Sequence, residues 1–103
     1  MQTLSKCPLE ELKQSEKDVD FIFIHSPFCG TCHLARKMLE TLEETLKGTD
    51  FRELNAAIHP DFMSYYEVES VPCLLIVKKG MILEKIYAFQ SVPYLYEKVN
   101  QYQ

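Results

Sequence analysis

Two short runs of apolar residues constrain the fold of this chain more than any other feature. Residues 21–24 and 71–77 are rich in β-branched and aromatic side chains and lack the polar alternation of a half-exposed strand. Such runs are typical of strands buried on both faces, as in a parallel sheet covered by helices. The 103 residues suffice for one core, and no linker or internal repeat divides them. We therefore expect one domain over residues 1–103.

Helical patterns alternate with these strands. Pro8 opens a first helix that we expect to end near Asp18. A long helix before Gly48 carries a predicted buried stripe of Leu34, Met38, Leu42 and Leu46, widened by Ala35 and Leu39. Further predicted elements are a strand at 51–55, a helix at 60–66, a hairpin strand at 82–87 and a last helix capped by Ser91. This order predicts an α/β fold with helices on both faces of the sheet.

Charge and apolar length exclude several classes of partner. The net charge is −4, with lysines and acidic residues interspersed, so we expect no nucleic-acid partner. The apolar runs are too short to cross a bilayer, and the first residues lack the apolar segment of a signal peptide. We therefore expect a cytoplasmic protein with no membrane partner. In a reducing compartment its four cysteines are better interpreted as redox, metal or buried positions than as structural disulfides.

Cys29 and Cys32 form a CxxC pair between the first buried strand and the long helix. A helix N-terminus favours a thiolate, so this placement indicates thiol–disulfide chemistry. Zinc is an alternative, but Cys7 and Cys73 stand alone and a structural zinc site needs four ligands. His33 completes a C-x-x-C-H haem-attachment pattern without the expected haem context. A merely buried pair is the remaining alternative, and the Pro, Gly and Thr around the cysteines disfavour it.

The chain resembles the thioredoxin family over about residues 19–100. The resemblance depends on Phe-Cys-Gly-Thr-Cys at 28–32, Ser-Val-Pro at 70–72 and the strand and turn at 74–80. It implies a thioredoxin fold, with a central mixed β-sheet flanked by helices on both faces. It also implies that Cys29 is the exposed nucleophile and Cys32 the buried resolving cysteine. Val71–Pro72 would be a cis peptide bond opposite the pair.

The resemblance further implies reduction of protein disulfides through a dithiol–disulfide cycle. Its predicted substrate-contacting residues are Phe28, Gly30, Thr31, Val71 and Pro72. No cofactor would be needed within the domain. The implied partners are disulfide-containing proteins and an NADPH-dependent flavoprotein reductase, with a monomer favoured.

Several positions depart from the family pattern. The family's buried aspartate falls on Phe23, and a nearby lysine position falls on Glu53. The kinking proline of the long helix falls on Lys37, and a glycine beside the site falls on Ala88. Proton handling could pass to Glu53, His25 or water. The departures motivate an alternative function, a protein-binding module or redox sensor with little turnover.

Three residues are candidates for tuning the cysteine pair: His33, Glu53 and Cys73. His33 either is a solvated residue of the first helical turn or supplies a cation near the thiolates. Cys73 either is a small buried apolar residue or acts as a third redox thiol.

Overall fold

The computed structural model describes residues 1–103 and contains one five-stranded sheet with helices on both faces. The strands are β1 (Gln2–Thr3), β2 (Asp20–His25), β3 (Phe51–Asn55), β4 (Cys73–Lys78) and β5 (Met81–Ile86). The helices are α1 (Pro8–Lys13), α2 (Gly30–Thr45), α3 (Pro60–Tyr65) and α4 (Val92–Asn100), with a 3-10 turn at Ala56–Ile58. The predicted α/β order is confirmed.

The sheet has the strand order β1-β3-β2-β4-β5, with β2 at its centre. β3 runs parallel to β1 and β2, whereas β4 runs antiparallel to β2 and β5. The sheet is therefore mixed, as expected. Because β2 and β4 are antiparallel and Ile24 is the register partner of Cys73, the last residues of β2 and the first residues of β4 lie side by side at one end of these strands.

The buried run of β2 supplies both halves of the core. Phe21 and Phe23 belong to the core cluster that contains α2 and α4, whereas Ile22 and Ile24 belong to the cluster on the opposite face. Successive side chains of a strand point to opposite faces, so a strand covered by helices on both sides must be apolar throughout. The continuous apolar run of β2 is thereby explained.

The buried face of α2 differs from the predicted stripe at one end. Cys32, Ala35, Leu39 and Leu42 are buried, but Leu34 is 63% exposed. Residues spaced by four drift about 40° per step around a helix of 3.6 residues per turn. Leu34 therefore lies well away from the face that Leu39 and Leu42 share. None of the helices combines the length and apolar character needed to cross a bilayer.

Several boundaries differ from the predictions. α1 ends at Lys13 rather than near Asp18, because the Ser15 N–H donates to the Leu12 carbonyl three residues back, at 3.3 Å, in place of the i→i−4 bond that would extend the helix. β4 begins at Cys73 rather than Val71, since Pro72 has no N–H to donate to the ladder. β5 spans Met81–Ile86 after a two-residue turn in which Gly80 has a φ of 83°.

Candidate functional site

A short turn carries the chain from the end of β2 into α2 and positions the two cysteines. The Cys29 N–H donates to the Ser26 carbonyl at 3.2 Å, and the Phe28 N–H donates to Ser26 Oγ at 3.2 Å. Cys29 is the N-cap of α2 in an extended conformation, so Cys32 lies in the first helical turn. The strand-to-helix junction predicted from the sequence is present.

Cys29 and Cys32 are joined by a disulfide, with their Cα atoms 5.4 Å apart. Their surroundings are unequal. Cys29 is half-buried, whereas Cys32 is 5% exposed and belongs to the core cluster with Ala35 and Leu39. One sulfur therefore lies near the surface while the other is backed by the core.

The residues around Cys29 form an exposed rim. The Phe28 ring is 90% exposed, which is unusual for a large apolar side chain. Thr31 Oγ1 lies 3.5 Å from Cys29 Sγ, and Gly30 is exposed with open space where a Cβ would stand. A second chain could approach Cys29 here without displacing core residues.

The Val71–Pro72 segment lies directly before β4, and its peptide bond is cis. Both residues are half-buried. Val71 packs against the same core cluster as Cys29 and Cys32. The two segments that carry the family resemblance thus pack against one core cluster.

A cleft beside the disulfide brings sulfur atoms and basic nitrogens together. It is lined by His25, Ser26, Pro27, Cys29, Cys32, His33 and Arg36. His33 is exposed at its rim. Arg36 follows Cys32 by one helical turn, so both lie on the same side of α2. Sequence reasoning missed Arg36, although this spacing was its available signal.

Glu53 lies behind the cleft and joins β3 to α2. Arg36 Nη1 and Nη2 donate to Glu53 Oε2 and Oε1 at 2.9 and 3.0 Å. The same Oε1 lies 3.1 Å from His25 Nε2. The three side chains form a cluster that we call the His25–Glu53–Arg36 cluster.

Mutual contacts and burial set the charges of this cluster. The hydrogen bonds from Arg36 hold the pKa of Glu53 below its ordinary value and raise the pKa of Arg36. Burial lowers the pKa of His25, and the neighbouring Arg36 acts in the same direction, although the Glu53 carboxylate opposes both. Glu53 and Arg36 are therefore an ion pair at neutral pH, and His25 is neutral.

Phe23 occupies the position at which the family pattern expects a carboxylate. Its ring is fully buried, stacks on His25 at a centroid distance of 5.5 Å and meets the Phe89 ring edge-on at 6.2 Å. The Arg36 guanidinium lies over the ring at 5.3 Å. The centre of the site is therefore apolar, with charges arranged around the ring.

The two remaining cysteines lie outside the cleft. Cys73 is fully buried, and burial raises the pKa of its thiol to about 12. Such a thiol is a poor nucleophile, so the structure gives no support to Cys73 as a third redox thiol. Cys7 is exposed before α1. No group of three or more His, Cys, Asp or Glu side chains is arranged to hold a metal ion.

Comparison with known proteins identifies the family. The family profile described as Thioredoxin matches residues 6–101. The chain belongs to the thioredoxin family. The thioredoxin-like protein YusE of Bacillus subtilis (strain 168) is 46% identical over 91 residues, which cover 88% of this chain and 86% of that protein. The thioredoxin of Staphylococcus aureus is 28% identical over 88 residues, covering 84% of this chain and 85% of the relative.

Solved thioredoxin structures share the fold. A thioredoxin from Fasciola hepatica superposes with a TM-score of 0.83 at 18% identity and covers both chains fully. A mutant thioredoxin from Halobacterium salinarum NRC-1 gives a TM-score of 0.82 at 22% identity, covering 99% of this chain and 88% of that one. Together, thioredoxin-family membership and the Cys29–Cys32 pair identify a thiol–disulfide oxidoreductase that acts on disulfide-containing proteins in general.

Proposed function

We propose that this thioredoxin-family chain reduces protein disulfides, with Cys29 as the nucleophile and Cys32 as the resolving cysteine. The observation that carries this assignment is the unequal burial of the pair, with Cys32 at 5% exposure behind a more accessible Cys29. The Cys29 thiolate attacks a substrate disulfide, and the first substrate thiolate leaves and takes up a proton. Cys32 then attacks Cys29 and expels the second thiolate, so two electrons pass to the substrate.

The exposed rim and the segment before β4 are proposed as the surface that contacts substrate. Phe28 offers an apolar ring, and Gly30 and Thr31 leave the approach to Cys29 open. The N–H and C=O of Val71 make no backbone hydrogen bond, so they are free to pair with an extended substrate segment. Pro72 would border this segment beside β4.

Reduction of insulin disulfides by the reduced protein tests the proposal. Cys29→Ser is expected to abolish turnover, and Cys32→Ser is expected to accumulate a mixed disulfide through Cys29. Cys7→Ser removes an exposed thiol outside the cleft and serves as the matched control with full activity. Full activity in Cys29→Ser would overturn the assignment. A pair that stays oxidised in the cellular thiol pool and gives no turnover would favour the binding module or sensor.

An NADPH-dependent flavoprotein reductase is proposed as the electron donor, because exchange itself moves electrons only between sulfur atoms and needs no cofactor within the domain. NADPH oxidation with catalytic amounts of both proteins and insulin in excess measures this coupling. If no reductase of this class supports NADPH oxidation, this electron donor is excluded, but the proposed exchange activity still stands.

We further propose a cytoplasmic monomer that folds as one domain over residues 1–103. The free thiols of Cys7 and Cys73 suit a reducing compartment, and one sheet connects β1 near the start to β5 near the end. Fractionation and the mass measured in solution test location and oligomeric state. A single cooperative unfolding transition would support the single domain.

A further inference from the structure

The resolving step raises a problem of proton transfer that the exchange function does not itself solve. Cys32 must lose its proton to attack Cys29, yet burial against the core disfavours a thiolate. The position that would carry a buried carboxylate holds the ring of Phe23, which accepts no proton. The proton must therefore go to another acceptor, either a side chain at the cleft or water.

His25 has the geometry for this role. It is the last residue of β2, and it lines the cleft together with Cys29 and Cys32. Glu53 Oε1 lies 3.1 Å from Nε2, and a carboxylate at that distance favours the tautomer that carries its proton on Nε2. Nδ1 is then the basic nitrogen, and no protein hydrogen bond occupies it. Stacking on Phe23 holds the ring plane.

We propose that His25 accepts the proton of Cys32 during resolution, held in place by Glu53 and Arg36; this inference rests on the proposed exchange function. As the Cys32 S–H bond breaks, the proton moves to His25 Nδ1. The Cys32 sulfur forms a bond to Cys29 Sγ, and the bond from Cys29 to the substrate sulfur breaks. The departing substrate thiolate takes the proton back from the imidazolium, and His25 returns to its neutral form.

Glu53 is a positioning residue rather than the acceptor. Both of its oxygens accept hydrogen bonds from Arg36, and this pairing keeps its pKa low, so the carboxylate is a weak base. Its side chain is also absent from the lining of the cleft. Glu53 therefore acts on the cleft through the two lining side chains that it contacts, His25 and Arg36.

The charge state of His25 at neutral pH suits an acceptor. Burial and the Arg36 cation lower its pKa, and the imidazole is therefore neutral before the step. The titratable and charged groups that surround it come from two neighbouring elements and the connecting turn: Glu53 of β3, Arg36, Cys32 and His33 of α2, and Cys29.

A reaction with two kinetic phases distinguishes attack by Cys29 from resolution by Cys32. The reduced protein, with Cys7→Ser to remove the exposed thiol, is mixed with an aromatic disulfide whose released thiolate absorbs visible light. The first release reports attack by Cys29, and the second reports resolution by Cys32. We expect His25→Gln to slow the second phase about 100-fold at neutral pH, the low end for a lost acid–base group, and to leave the first within about twofold.

The pH profile distinguishes proton transfer from a structural role. In the parent, the rate of the second phase should rise with an inflection at the pKa of His25, and His25→Gln should remove the inflection. Glu53→Gln should move the inflection to lower pH, because the carboxylate raises the pKa of His25. His59→Gln, the same change in a histidine that lines a separate cleft, is the matched control with a parental profile.

Several outcomes would overturn the inference. The inference fails if the rate of the second phase in His25→Gln stays within threefold of the parent rate at every pH. It also fails if His33→Gln, and not His25→Gln, removes the inflection from the pH profile. Loss of both phases in a folded His25→Gln would also overturn the inference, because a proton acceptor for Cys32 leaves the attack by Cys29 intact. If the parent itself shows no first phase, the proposed function fails; if only the effect of His25 is missing, the exchange function stands.

Discussion

Phe23 and Glu53 are register partners on the parallel strands β2 and β3, and Arg36 contacts both side chains. Register partners in a sheet direct their side chains to the same face. The carboxylate near the cysteine pair thus stands one strand away from the position that the family pattern predicts. Glu53 is also paired with the Arg36 cation, which keeps its carboxylate charged. A lone buried carboxyl would instead gain and lose a proton.

Placing an aspartate at Phe23 should not rebuild the family pattern. Phe23→Asp removes a fully buried ring and adds a carboxyl beside Glu53, so we expect a loss of about 4 kcal/mol in the free energy of unfolding. Urea denaturation measures it. Phe23→Leu, which keeps the site apolar, should lose roughly 1.5 kcal/mol. Equal losses in the two variants would contradict the view that charge burial dominates.

The Arg36–Glu53 pair should contribute measurably to stability. It is bidentate and partly buried, with side-chain exposures of 30% and 15%, so we expect a coupling energy of about 1 kcal/mol. The double-mutant cycle consists of Arg36→Met, Glu53→Gln and the double variant, unfolded in urea at neutral pH. A coupling near zero would mean that the contact only orients the side chains.

Stability should fall as the pH falls through the titration range of His25. Its folded-state pKa lies below the ordinary value of 6.5, so between the two values the unfolded chain binds more protons than the folded one. The stabilising contribution is therefore complete above about pH 6.5 and is lost as the pH falls toward the folded pKa. His25→Gln should flatten this part of the curve of unfolding free energy against pH. An unchanged slope would mean that His25 titrates normally.

The buried Asp20 should depend on its arginine partner. Arg52 donates to Asp20 Oδ1 at 2.5 Å and to Glu11 Oε2 at 2.7 Å, joining β3 to β2 and α1. Arg52→Met leaves the Asp20 carboxylate, whose side chain is fully buried, without its cation, so we expect a loss of about 3 kcal/mol. Thermal and urea unfolding measure the loss. The double variant Arg52→Met with Asp20→Asn should recover part of it.

Thiol labelling of the oxidised protein should find two cysteines of very different reactivity. Cys7 is exposed, whereas Cys73 is buried with a thiol pKa raised to about 12. A maleimide or iodoacetamide reagent should modify Cys7 within minutes and Cys73 only after denaturation. Mass spectrometry of the labelled peptides counts both. Prompt labelling of Cys73 in the folded protein would contradict its burial and reopen a redox role for it.

Local patterns are enough to predict most of the fold. The buried strands, the helix start at Pro60 and the Ser91 cap are encoded by neighbouring residues, and Ser91 Oγ does accept from the Tyr94 N–H. β1 is not predicted from the sequence. Its two residues form a strand only because they pair with β3, and the local sequence contains no signal for that pairing. The prediction for Leu34 is wrong because a four-residue spacing only approximates the helical period.

The part of the site that lies within one short segment of the chain is predictable from the sequence. Cys29 and Cys32 are close in the sequence, whereas the His25–Glu53–Arg36 cluster draws on β2, β3 and α2. Glu53 and His25 are candidates individually, but their contact depends on strand register. The spacing from Cys32 indicates that Arg36 lies near the pair, but its contact with Glu53 depends on how α2 packs against β3.

The central position of β2 in the sheet determines which parts of the molecule unfold locally. β2 is hydrogen-bonded along both sides, to β3 and β4, whereas β1 has two exposed residues at an edge. Amide protons in β2 should therefore exchange with deuterium only on global unfolding, while those of β1 exchange by local fraying. His25 ends β2, and Cys29 follows it by one short turn. We therefore expect the cysteine cleft to be anchored in the last part of the protein to unfold and to stay assembled during fluctuations at the sheet edges.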